Sequence, residues 1–191
     1  MSGTIFSGTY TNGIVLSDPA TQNPATVTAT GYITNTGSAR AALYGAAGFA
    51  WTVTNYGAIE AYGGTGISVE LASGGSFTNE GVVLGGHQSH YVYTAVVMSG
   101  GPAAVANFGT ISGRVTISGG PGAIVNYGYI SGYAVFRGPG TVANYGAMYG
   151  LQLSDGGSVA NVGGGYIAQG GVHIGFGPAG YVCERRQRRR R

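Results

Sequence analysis

The sequence has no lysine, a single cysteine (Cys183), one tryptophan and only 8% charged residues. One cysteine excludes any intrachain disulfide framework. No apolar run reaches the roughly 18 residues that a membrane-crossing helix needs. The opening stretch, MSGTIFSGTYTNGIVLSDPA, has neither the basic start nor the continuous apolar core of an ordinary signal peptide. Strong helix formers such as Glu, Gln, Leu and Met are scarce, which leaves little from which to build helices.

Charge is as uneven as it is sparse. Residues 184–191 (ERRQRRRR) hold six of the nine arginines and one glutamate, a balance of +5. Residues 1–183 hold Arg40, Arg114 and Arg137 against five carboxylates, a balance of −2. The body therefore lacks the basic footprint of a nucleic-acid binder. The tail is expected to bind polyanions nonspecifically, through charge alone.

What the sequence does have is glycine, 39 residues in 191, far above the usual ~7%. With 43% hydrophobic residues and 14 tyrosines, it is too apolar and aromatic for a disordered chain, and it contains no Gly-X-Y period of collagen. The dominant feature is a repeat of the form VxNxGxI: ITNTGSA, VTNYGAI, FTNEGVV, VANFGTI, IVNYGYI, VANYGAM and VANVGGG. Its asparagines are Asn35, Asn55, Asn79, Asn107, Asn126, Asn144 and Asn161, at successive spacings of 20, 24, 28, 19, 18 and 17 residues. A TNG at Asn12 reads as an eighth, atypical copy. Between copies lie short apolar strands closed by glycine turns, such as RVTISGGPG, YAVFRGPG and LQLSDGGS.

Each copy thus holds two or three short strands with period-two alternation, and turns follow so regularly that no room is left for helices. One copy cannot bury its apolar face, whereas stacked copies make a continuous core. The expected fold is all-β, a single-stranded parallel β-helix of about seven or eight coils of 17–28 residues. Residues 1–30 are expected to form an N-terminal cap and first irregular coil, 31–182 the repeats, and 183–191 a flexible arginine-rich tail.

That geometry assigns roles by phase. Residues two before and four after each Asn should fill the interior as aliphatic ladders. The seven asparagines should form a structural ladder in which each amide bonds the next coil. The glycines that follow (Gly37, Gly57, Gly81, Gly109, Gly128, Gly146, Gly163) are expected to take positive φ at a corner. The residues directly after Asn include Tyr56, Phe108, Tyr127 and Tyr145, which should point outward along one edge. Their two readings are a platform for sugar rings and a simple cover for the β-surface. Trp51 and its irregular neighbourhood are expected to cover one end of the stack. The C-terminal coil, where Gly163–Gly165 interrupt the motif, is expected to self-associate through an open edge.

Over residues 1–180 the repeat resembles the Asn-Gly repeat region of large bacterial autotransporter-type adhesins and related surface proteins, which carry long arrays of VxNxGxIxGxxGVxLxxGG coils. The expected partners are a host or matrix surface or a polysaccharide. The resemblance implies a right-handed β-helix and a secreted or cell-surface location. It supplies no catalytic residue and no ligand. Such arrays continue into another module, whereas here Val182-Cys183 is followed by ERRQRRRR.

Chemistry has few candidates. Glycoside hydrolysis needs two carboxylates close together, and the body's five are scattered, with Glu60 and Glu80 at different repeat phases. His87 and His90 form H-x-x-H without the third and fourth ligands that zinc needs, and read as a solvated loop. Residues 79–107 span the longest interval, so the insertion at residues 86–94 is the first place to look for a specific contact. Glycine turns such as GGPG lack the Lys-Ser/Thr and following helix of a phosphate loop. The expectation is a structural and adhesive repeat segment that is not an enzyme and has no cofactor. The alternatives are a carbohydrate-binding β-helix and, behind it, a polysaccharide-processing enzyme.

Overall fold

The computed structural model describes residues 3–37, 40–62, 66–86 and 93–175, and the backbone of 180–184. The chain is a parallel β-helix. Its strands fall on three faces, and every strand pairs in parallel with its counterparts in the neighbouring coils. Eight coils occupy residues 4–16, 25–45, 51–71, 75–98, 103–117, 122–136, 140–153 and 157–174, and Gly180–Glu184 starts a ninth. The first face is a nine-stranded sheet from Thr4–Phe6 to Gly180–Glu184. The second and third faces merge into one sheet because Tyr129–Phe136, Ala147–Leu153 and Tyr166–Ile174 run through the corner between them.

Alternation decides which side chains go inside. Along Ala103–Asn107, Gly122–Asn126 and Gly140–Asn144 the first, third and fifth residues are buried and those between are not, as a strand with one wet face requires. Register then turns these positions into ladders. Val53, Phe77, Val105, Ile124, Val142 and Val159 stack up the first face. Ile33, Ile59, Val83, Ile111, Ile130 and Met148 stack up the second. All twelve are buried. On the third face Leu71, Met98, Ile117, Phe136 and Leu153 complete the core. Glycine makes room for the largest of these: a Cβ on Gly122 or Gly140 would lie 2.7–2.8 Å from ring atoms of Phe136.

Four expectations are corrected. Asn35 is not a rung of the asparagine ladder: it pairs with Ala61 on the second face, while Val27 takes the position opposite Asn55. Its side chain instead closes a local turn, donating to the Arg40 carbonyl at 3.0 Å and accepting from Gly37 N at 2.8 Å. The ITNTG copy is thus a sequence match out of phase by one face, and Ile33 belongs with Ile59 rather than Val53.

The glycines after the asparagines do not take positive φ, except Gly163 at +63°. Their constraint is proximity between coils. A Cβ on Gly81, Gly109, Gly128 or Gly146 would sit 2.0–2.2 Å from the carbonyl oxygen of the equivalent glycine one coil away. Glycine is required because backbone meets backbone there.

Trp51 does not cover an end. It lies in the third coil with no exposed surface, its indole N–H donating to the Ala46 carbonyl at 2.9 Å. Space for it comes from Gly45, where a Cβ would meet the indole at 2.6 Å, while Gly75 in the next coil lies close against the Trp51 backbone. One short helix also occurs, Pro19–Gln22. It is started by a proline in its first turn and by Asp18, whose carboxylate accepts from Ala20 N at 3.0 Å.

Candidate functional site

Six asparagines form the ladder. The Nδ2 of Asn55 donates to Oδ1 of Asn79 at 2.8 Å, and the same bond at the same distance joins Asn79 to Asn107, Asn107 to Asn126, Asn126 to Asn144 and Asn144 to Asn161. The other Nδ2 hydrogen faces two carbonyls, one two residues on and one in the next coil; for Asn107 these are Gly109 at 3.2 Å and Tyr129 at 3.3 Å. The side chains from Asn55 to Asn144 are fully buried. A neutral amide is suited to this place, because it carries donor and acceptor together and pairs with its own copy without charge. The ladder does no chemistry. It locks register.

Outside that corner, Phe108, Tyr127 and Tyr145 stack with ring centroids 5.1 and 4.6 Å apart and interplanar angles of 4° and 7°. They are 52%, 50% and 40% exposed, and Tyr127 has a ring stacked against each of its faces. Tyr56 holds the same phase two coils from Phe108, with exposed Glu80 at the position between them. His87 and His90 lie outside the described residues, as does most of the insertion around them.

Two acidic groupings escaped the sequence reading. Glu60 is buried and accepts from the Tyr32 hydroxyl at 2.8 Å. Burial, followed by this bond to a carboxylate, holds the Tyr32 phenol above the usual tyrosine range. Tyr62 also hydrogen-bonds Glu60, and that bond above all raises its phenol far above the normal value. Glu80 sits on another corner, so these two carboxylates belong to different surroundings. The second grouping is Glu70, beside Tyr44 in register, with the Arg40 guanidinium 5.0 Å above the Tyr44 ring. Partial burial pushes the Glu70 carboxyl up, and Arg40 pulls against that shift. Strand register was the missing signal: Tyr32 and Glu60 are 28 residues apart and meet only through the coil.

Among the described residues no three His, Cys, Asp or Glu side chains come together in a set that could hold a metal ion. No helix among them is long and apolar enough to cross a membrane. No family model matches the sequence, and no curated protein or solved structure matches it either.

Proposed function

We propose that the chain is a structural and adhesive repeat segment of a bacterial surface or secreted protein, working without catalysis through the sides of its rod. The observation that carries this reading is the ladder from Asn55 to Asn161. Each coil presents to the next the same donor, acceptor and apolar set that it received, so the fold is specialised for extension. An array of this kind provides length and lateral surface, and its partners are a host or matrix surface or a polysaccharide.

The ring stack fits this role as support. A sugar-binding platform offers open ring faces to the C–H groups of a pyranose, whereas both faces of Tyr127 are taken by Phe108 and Tyr145. Stacking of this sort adds stability between coils. Self-association through the C-terminal coil belongs to the same proposal. It is supported by Gly180–Glu184, which pairs with Gly157–Asn161 and, among the described residues, is the last strand of the first face.

The test immobilises the chain and measures its adhesion to host cells, matrix proteins and polysaccharides, with turnover assays against the same polysaccharides in parallel. Adhesion without turnover is the expected result, and robust turnover would overturn the reading. Sedimentation over a wide concentration range tests the self-association. A species that stays monomeric throughout removes that part.

A further inference from the structure

The body has three arginines, and two of them line one groove. Arg114 and Arg137, with Tyr133, Val135, Gln152 and Ser154, enclose about 300 Å³ on the third face across three successive coils. Strand register builds this set. Thr116, Val135 and Gln152 stand in one outward column, and Arg137 and Ser154 follow the buried pair Phe136 and Leu153 at the same corner. No carboxylate lines the groove. The Nε–H of Arg114 is buried with no hydrogen-bond partner. One edge of that guanidinium has therefore given up water without gaining an acceptor, so at that atom its charge is not already satisfied by a group of the protein.

We infer that this groove binds an acidic polysaccharide through the carboxylate of a uronic acid residue. Each part of the ligand meets a suitable group. The planar guanidinium groups of Arg114 and Arg137 match a carboxylate. The neutral amide of Gln152 and hydroxyl of Ser154 both donate and accept, as sugar hydroxyls require. Tyr133 supplies an aromatic wall. Its ring is held over Gly150, where a Cβ would lie 2.7 Å from Tyr133 Cε1, and edge-on to Tyr149 with centroids 5.1 Å apart. Two cations and two neutral polar groups suit a chain with one charge per sugar better than the denser charge of a nucleic acid. The inference rests on the reading of the rod's sides as its binding surface, and names a place and a ligand class on it.

The experiment uses the full-length chain with the six tail arginines, Arg185, Arg186 and Arg188 to Arg191, replaced by Gln, so that the tail cannot supply the signal. Calorimetry is run with an oligogalacturonate, a neutral galacto-oligosaccharide of equal length and a short RNA. The expected result is binding of the oligogalacturonate alone. Two further substitutions in that background, Arg137→Gln and Gln152→Glu, should each weaken binding at least tenfold, with the circular dichroism spectrum unchanged. Both positions are exposed, so neither change threatens the fold. Equal binding of the neutral sugar, preference for RNA, or no binding of the uronate would each overturn the inference. Uronate binding that survives both substitutions would place the ligand elsewhere, overturning the groove while leaving the adhesive reading intact.

Discussion

The Nδ2 of Asn107 donates to the Oδ1 of Asn126 at 2.8 Å, with both side chains fully buried and 19 positions apart in the sequence. Each rung thus depends on the rungs on both sides. Replacing Asn126 with Ala leaves the Asn107 amide without its acceptor and the Asn144 oxygen without its donor. Each orphaned group should cost about 1–3 kcal/mol. A fall in the midpoint of denaturant unfolding measures it, and an unchanged midpoint would remove the ladder from the account of stability.

Gly109 is governed by a carbonyl rather than by its own backbone angles. A Cβ there would lie 2.1 Å from the oxygen of Gly81, so Gly109→Ala must force two coils apart. The expected loss exceeds the roughly 1–3 kcal/mol of ordinary overpacking. Gly8→Ala is the control, since Gly8 is exposed with nothing within 4 Å of its Cβ position. If the two variants melted alike, the close-approach explanation would fail.

Glu80 interrupts the aromatic column between Tyr56 and Phe108. Glu80→Tyr should join Tyr56 to the stack and raise the thermal midpoint, each new ring pair adding about 0.5–1.5 kcal/mol. Tyr127→Ala, which breaks both existing pairs, should lower it. Opposite signs for the two variants are the outcome to look for in the melting curves.

The raised Glu70 carboxyl makes stability depend on pH. Its folded state holds the proton to higher pH than the unfolded chain does. Stability from this group is therefore full below the unfolded value and is lost as pH rises through the raised folded value. Glu70→Gln should flatten that part of the profile and stabilise the protein at neutral pH. Arg40→Gln should deepen the loss, because it removes the charge that opposes the shift. Unfolding followed across mildly acidic to neutral pH checks both signs.

Tyr32 and Tyr62 owe part or most of their high titration to Glu60. Glu60→Gln should bring both phenols down, Tyr62 by more, because the bond to Glu60 is its leading cause whereas burial leads for Tyr32. Phenolate absorbance on alkaline titration reports this. An unaltered titration would detach the tyrosines from Glu60.

The sequence by itself was enough for the fold class and for the ladder from Asn55 to Asn161. Period-two alternation and a recurring VxNxG are local patterns, and parallel stacking brings like residues of neighbouring coils together. Division of charge into a nearly neutral body and a basic tail was equally legible. Tertiary structure decided what depends on the length of chain absorbed between strands. The first-face strand of that coil is Ala25–Val27, so the ITNTG copy falls on the second face, although it matches the motif by letter. The same register brings Tyr32 to Glu60 and sets Arg114 and Arg137 on one groove across coils, placements that no spacing along the chain announces. It also gives the corner glycines their reason, since the carbonyl each would strike belongs to another coil. Alternation is a property of one strand, while these contacts belong to a stack, and its phase is set by how the loops take up chain between strands.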